Sequence, residues 1–170
     1  MNAIEKELIN KLAAGKLSRD AFLNQYPVNL KKDEGYIING LKTAYGSQNS
    51  EDVEYFLSLV SFHNGWNTDS EYAFIFSKLL TEEWHFSHEN IASLLQGSKN
   101  PATVDCLYNA CFLQLDYMDY DDTYSLARKC IHALGDINTE HSIEKLKLLA
   151  TSDIPIIKEK AEKQLYYHKR

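Results

Sequence analysis

Four aspartates and three tyrosines lie together in one short segment, and they are the residues of this chain best suited to bind a partner. The segment runs from Asp116 to Tyr124 and contains no basic residue. Its acidic and aromatic members are Asp116, Tyr117, Asp119, Tyr120, Asp121, Asp122 and Tyr124. Carboxylates attract cations, and a tyrosine ring buries area at an interface while its hydroxyl group keeps a polar partner. We predict that this acidic tyrosine segment contacts a protein with a basic surface.

The same segment also has a structural interpretation. Asp121 or Asp122 is well placed to cap the helix that runs to Leu134, because an aspartate before a helix accepts hydrogen bonds from its first free amides. The tyrosines are also able to pack between neighbouring helices. A cap needs one acid and the segment has four, so we favour binding for the cluster as a whole.

The acidic tyrosine segment belongs to a strongly acidic part of the chain. Residues 50–124 carry thirteen carboxylates and only two cations, Lys78 and Lys99, for a net charge of −11. The flanking residues 1–49 and 125–170 have net charges of +2 and +3. Like charges in one folded region repel one another, so this arrangement costs stability unless it has a use. A chain with a pI near 5.5 also lacks the clustered Lys and Arg of a nucleic-acid-binding protein, and we expect no such partner.

A second dense patch, residues 82–89, raises the possibility of a metal site. His85, His88 and Glu89 would reach one metal ion if they shared one face of a helix. Ser87, however, is a typical helix N-cap, which places His85 outside the helix and removes that spacing. We therefore expect no metal site here.

This patch also contributes to the predicted binding surface. Glu82, Glu83 and Trp84 are assigned to it as possible neighbours of the acidic tyrosine segment. No catalytic residue and no cofactor are expected, because the sequence has no serine-centred elbow and no glycine-rich phosphate loop. We interpret the chain as a binding protein.

Cysteine use and hydropathy indicate where the protein works. The three cysteines, Cys106, Cys111 and Cys130, occupy apolar-periodic helical positions and cannot all pair internally. Buried free thiols are typical of a reducing compartment, so we expect a cytoplasmic protein. No run of about 18 apolar residues occurs, and no membrane partner is expected.

The elements that must position these residues are predicted to be helices. Apolar residues recur at helical spacing from one end of the chain to the other, without a convincing alternation of period two. Ser50 is predicted to start a helix, Pro101 to lie in a first turn, and Gly46, Gly97 and Gly135 to end helices. The sequence predicts an all-α fold of about ten helices.

The C-terminal half repeats itself. A shift of 39 residues lays Ile91 on Cys130, Leu95 on Leu134 and Leu107 on Leu146, and a shift of 31 lays Cys130 on Ala161. Helix pairs that cannot bury an apolar face alone can bury it by stacking, which predicts a helical repeat array. A non-repeating helical bundle is the alternative.

Three stretches of this half resemble the HEAT family of helical repeats. They are residues 127–137, which look like the end of a first helix, 142–149, a second helix, and 152–161, the start of the next repeat. The resemblance implies one HEAT-like domain over 1–170, a right-handed superhelix of antiparallel helix pairs (an α-solenoid). Its repeats are clear over 87–167, and 1–86 form an irregular helical N-terminal part.

In its size, acidity and repeats the chain resembles the HEAT-repeat immunity proteins that bacteria pair with secreted or contact-delivered toxins. The resemblance implies an inhibitor that binds a cognate toxin, often a nuclease with a basic cleft, and catalyses nothing. A HEAT adaptor for another protein is an alternative, as is a metal-dependent enzyme that uses residues 85–89. HEAT-like DNA glycosylases present a basic groove, and the acidic middle of this chain excludes that activity.

Overall fold

The computed structural model describes residues 1–119 and 121–168, and all regular elements in that part of the chain are helices. The ten α-helices are α1 (Ala3–Ala13), α2 (Arg19–Gln25), α3 (Glu34–Gly46), α4 (Ser50–Leu59), α5 (Ser70–Leu80), α6 (His88–Ser98), α7 (Val104–Ala110), α8 (Ser125–Ile137), α9 (Glu140–Leu149) and α10 (Pro155–Tyr167). Short 3-10 helices cover Val60–Phe62, Pro101–Thr103 and Asp116–Met118. The prediction of an all-α fold with about ten helices is confirmed.

The chain divides into two compact units. Met1–Trp66 contains α1 to α4, and Asn67–Arg170 contains α5 to α10. The prediction of a single repeat domain over 1–170, with an irregular part that ends at residue 86, stays a prediction.

In the first unit, α3 packs against α4, and α1 packs against α2 and α4. Its core contains fully buried Phe22, Leu30, Leu41 and Val53. The helix pair α3 and α4 approaches closely because α3 has a glycine, Gly40, facing the α4 core.

In the second unit, α5 packs on α6, α7 on α8, α8 on α9 and α9 on α10, and each of α5 to α8 also contacts the helix two places further along the chain. One series of contacts joins α5 to α7 and α7 to α9, and the other joins α6 to α8 and α8 to α10. The positions related by the 39-residue shift are buried at both places: Ile91 and Cys130, Leu95 and Leu134, and Leu107 and Leu146. The repeated apolar positions therefore face the core, as the sequence pattern predicts.

Several helix ends match the sequence prediction and others correct it. α4 begins at Ser50 and α3 ends at Gly46. The cap of α4 is Asn49, whose side-chain oxygen accepts a hydrogen bond from the Asp52 amide at 2.9 Å. Pro101 opens the 3-10 helix that precedes α7.

Gly97 and Gly135 do not end helices. Both lie inside the last turns of α6 and α8, and these helices end instead at the left-handed residues Lys99 and Asn138. Gly135 has a packing role, because a Cβ atom there would lie 2.3 Å from the side-chain oxygen of Gln164 on α10.

The thiols are free, and two of the three are buried. Cys111 and Cys130 are buried, whereas Cys106 is partly exposed. A hydrogen bond with the Cys111 thiol, together with burial, holds the pKa of the Cys130 thiol well above its usual range. Such a thiol is a packing group rather than a nucleophile. None of the described helices is both long enough and apolar enough to cross a membrane.

The contact between α3 and α4 yields a stability prediction. A Cβ atom at Gly40 would lie 2.2 Å from two carbon atoms of the Phe56 ring, so Gly40→Ala must displace a buried aromatic side chain. We expect Gly40→Ala to lower the free energy of unfolding by about 1–3 kcal/mol, measured by urea denaturation. Gly46→Ala is the matched control, because nothing lies within 4 Å of its Cβ position. Equal stability of the two variants would contradict the close approach.

Candidate partner-binding surface

The acidic tyrosine segment lies in the irregular connection between α7 and α8. Leu115 is buried and anchors its start, and the 3-10 helix Asp116–Met118 follows directly. Asp116, Asp119 and Asp122 are exposed. Tyr120, one of the predicted contact residues, lies outside the described residues. The described acids of the segment are therefore mostly at the surface, as a binding site requires.

Asp121 differs from the other acids because its carboxylate is used by the fold. It accepts a hydrogen bond from the Ser125 amide, the first residue of α8, at 2.6 Å, and another from the Thr123 amide at 3.0 Å. Hydrogen bonds from Ser125 and Thr123 lower the pKa of Asp121 far below its usual range. Of the two candidate caps, Asp121 is the one that serves α8.

Tyr124 is held in an unusual backbone conformation. Its φ and ψ angles are 53° and 48°, in the left-handed region that bulky residues rarely adopt. It precedes α8 directly, and its side chain is 41% exposed. Strained residues of this kind tend to occur at functional positions.

The acidic tyrosine segment is tied to the loop between α5 and α6 by one buried histidine. The hydroxyl group of Tyr117 lies 2.9 Å from Nδ1 of His88, and Nε2 of His88 lies 2.7 Å from the carbonyl oxygen of Glu82. A carbonyl oxygen only accepts, so Nε2 donates. In the neutral ring Nδ1 must then accept from Tyr117.

His85 completes this network. Its Nε2 lies 2.7 Å from the carbonyl oxygen of Leu79 near the end of α5, and its Nδ1 accepts from the Ser87 amide at 3.1 Å. The rings of His85 and His88 stack with centroids 4.3 Å apart, and both are fully buried. Burial lowers the pKa of His85, and burial with the neighbouring His85 lowers the pKa of His88 to about 4. Both rings are therefore neutral at pH 7.

The metal interpretation of this patch has no geometric support. All four ring nitrogens of His85 and His88 are engaged by protein groups. Glu89 instead accepts a hydrogen bond from the Ser125 hydroxyl at 2.8 Å and pairs with Lys129 at 3.4 Å. No group of three or more potential metal ligands occurs among the residues that the structure describes. The N-cap position of α6 is Ser87, as predicted, so His85 stands outside the helix.

The predicted neighbours of the segment are positioned around this network. The Trp84 indole donates to the Glu82 carboxylate at 3.0 Å, and its ring meets His85 edge to face, 5.1 Å between centroids. Glu83 is exposed. The α5–α6 loop and the acidic tyrosine segment are thus brought together through Tyr117.

Phe86 is a surface residue that the sequence did not single out. Its side chain is 69% exposed, and its ring meets the Tyr117 ring edge to face with centroids 5.2 Å apart. A single apolar residue in a loop carries no periodic signal, and the one available clue was its place among five charged or titratable residues of the 82–89 patch.

A pocket of about 370 Å³ opens beside the same 3-10 helix. Its lining combines carboxylates with apolar side chains: Asp119, Asp121, Asp122 and Tyr124 with Leu113, Leu115, Met118 and Leu126. Leu115 and Leu126 are buried, whereas Asp119 and Asp122 are exposed, so the floor is apolar and the rim acidic. This shape accepts an elongated side chain with an apolar stem and a cationic head.

Comparison with known proteins returns no match for this chain. No protein-family model, no curated protein and no solved structure matches it. Its function must therefore be argued from its own residues.

The capping role of Asp121 predicts a local stability effect. Asp121→Ala should lower the free energy of unfolding by about 1 kcal/mol, because the amides of Thr123 and of Ser125, the first residue of α8, lose their acceptor. Asp122→Ala, which removes the exposed neighbouring carboxylate, is the control and should change little. Thermal and urea unfolding measure the stability of both variants. A larger loss of stability in Asp122→Ala would show that Asp122, and not Asp121, caps α8.

The buried histidines predict acid lability. The folded-state pKa of His88, about 4, lies below the ordinary value of 6.5, so between these values the unfolded chain binds more protons than the folded protein. The contribution of His88 to the free energy of unfolding is fully present above pH 6.5. It is lost as the pH falls towards 4, and the loss from His88 alone is about 3 kcal/mol.

Urea unfolding at several pH values measures the slope of the unfolding free energy against pH. His88→Gln should flatten it, and His141→Gln, which replaces a half-exposed histidine outside the network, should leave it unchanged. A wild-type stability that is constant from pH 6.5 to 4 would show that the imidazoles are not buried as neutral groups.

Proposed function

We propose that this protein is an immunity-type inhibitor that binds a cognate toxin with a basic surface and blocks it without catalysing a reaction. The observation that carries the proposal is the acid-rimmed pocket beside the 3-10 helix Asp116–Met118. A lysine or arginine of the partner can lay its methylene stem on the partly exposed Leu113 and Met118 and bring its charge to the carboxylates.

The distribution of ion pairs supports a cationic partner. Other acids of residues 50–124 have cations of this chain: Asp105 pairs with Lys145 at 2.8 Å, and Glu51 pairs with Lys6 at 2.6 Å. Asp119 and Asp122 have no ion pair with the described residues. Their mutual repulsion is not compensated within that part of the chain, and a basic surface would relieve it.

The proposal includes the arrangement of the helices. The contacts that join α5, α7 and α9 in one series and α6, α8 and α10 in another are those expected of stacked helix pairs. We propose that these pairs form a HEAT-like α-solenoid with a right-handed superhelix. The free thiols support a cytoplasmic location, where an inhibitor would meet a toxin that has entered the cell.

Co-expression tests the proposed function. Genes that flank this one in its source genome are expressed one at a time, with and without this protein, and growth and binding are measured. We expect one neighbouring product to inhibit growth, to bind this chain and to be neutralised by it. If no neighbouring product is both toxic and bound, the immunity proposal fails.

Charge reversal at the pocket tests the surface. Asp119→Lys with Asp122→Lys should slow association with the toxin about tenfold or more, since electrostatic attraction governs the encounter rate. Asp121 is left intact because it caps α8. Asp153→Lys with Glu162→Lys changes the net charge equally at exposed positions elsewhere in the second unit and is the matched control.

Association rates of wild type and both double variants, measured at two salt concentrations, show whether the pocket carboxylates attract the partner. Added salt should slow the wild-type association, because screening weakens attraction over distance. Equal rates for the two double variants would mean that overall charge, and not this pocket, attracts the partner.

A further inference from the structure

We propose that the exposed ring of Phe86 is the docking point for an arginine side chain of the partner, stacked against the ring face beside the acidic pocket. This inference rests on the proposed function and deepens it, because it specifies which cation the partner presents and where. Tyr117 links Phe86 to the pocket. The Phe86 ring contacts the Tyr117 ring, and Met118, the residue after Tyr117, lines the pocket.

The Phe86 ring is exposed but held in place. It is 69% exposed, yet the residues on either side of it, His85 and Ser87, are joined by a hydrogen bond. The Phe86 and Tyr117 rings lie perpendicular to each other in contact, and the Tyr117 hydroxyl is held by the buried His88. A large apolar ring that is exposed and already ordered binds with little further loss of conformational entropy.

Other aromatic rings of this chain already carry a cation of their own. Lys78 lies over Phe74 at 5.0 Å, Arg19 over Phe62 at 4.0 Å, Lys145 over Tyr108 at 4.7 Å and Lys6 over Tyr55 at 5.2 Å. No lysine or arginine of the described residues lies over Phe86. The acidic region supplies only Lys78 and Lys99, and Lys78 is already at Phe74. With no cation of the described residues over it, the Phe86 ring is open to a cation of a partner.

Arginine fits this position better than lysine. Its planar guanidinium group stacks on an aromatic face and still donates in-plane hydrogen bonds to carboxylates. Exposed carboxylates flank both rings in sequence, with Glu83 on the loop of Phe86 and Asp116 beside Tyr117. A lysine ammonium is more strongly hydrated and has no planar face to stack, so it gains less from the same ring.

Two synthetic peptides of equal charge, tetra-arginine and tetra-lysine, serve as probes. Their dissociation constants are measured at low ionic strength by NMR titration of the isotope-labelled full chain, with tetra-citrulline as the neutral analogue. The variants are Phe86→Ala, Phe86→Leu and the matched control Phe74→Ala, which removes a ring that is 60% exposed and already covered by Lys78. The Asp119→Lys with Asp122→Lys double variant is included.

We expect wild type to bind tetra-arginine more tightly than tetra-lysine, and tetra-citrulline not to bind. Phe86→Ala and Phe86→Leu should both weaken tetra-arginine binding about 3- to 30-fold and abolish the preference, as expected for a lost cation–π contact. Phe74→Ala should bind as wild type does.

The outcomes separate this inference from the proposed function. If the Phe86 variants bind as Phe74→Ala does while the double aspartate variant loses affinity, the arginine inference is wrong and the acidic surface stands. If Phe86→Leu keeps wild-type affinity, the ring acts only through its apolar area, and stacking is refuted. If the double aspartate variant binds as wild type does, the proposed acidic surface is wrong. If wild type does not bind tetra-arginine, both the arginine inference and the proposed acidic surface fail.

Discussion

The hydrogen bond between Tyr117 and His88 is the contact on which the candidate surface depends. It joins the first residue of α6 to the 3-10 turn of the acidic tyrosine segment, and the other ring nitrogen of His88 holds the α5–α6 loop at Glu82. The same histidine pair bonds the carbonyl groups of Leu79, in the last turn of α5, and of Glu82, just beyond that helix. An acidic surface that was fixed by lysines of its own chain would lose net negative charge. Neutral imidazoles fix it and leave the carboxylates outside.

The carboxylates of the acidic region consequently fall into two groups. Glu89 and Asp105 connect helices through Ser125 and Lys145, and Asp121 caps α8, so these acids stabilise the fold. Asp119, Asp122 and Glu83 are exposed and have no ion pair with the described part of the chain. The net charge of the region alone overstates its binding potential. The second group is the part that is available to a partner.

The helices were predictable from the sequence because their signal is local. Apolar spacing located the core positions, and the 39-residue shift paired Leu95 with Leu134, both fully buried. The site was predictable only in part. Ser87 correctly placed His85 outside α6, but the pairing of His88 with Tyr117 spans 29 residues and depends on how α6 and α8 pack. The prediction that Gly135 ends a helix is wrong. In a sequence, a glycine that ends a helix cannot be told from one that leaves space for a side chain of the next helix, here Gln164.

The 3-10 helix Asp116–Met118 explains how a short segment can present two different contacts. Tyr117 faces Phe86 and His88, whereas Met118 lines the pocket with Asp119 and Tyr124. One turn therefore sets the spacing between an aromatic ring and an acid-rimmed cavity. A partner that engages both must carry its cations at a matching spacing, and basic proteins with other spacings are disfavoured because one contact is then lost. Under the proposed function, the spacing set by this turn adds selectivity that charge alone does not provide.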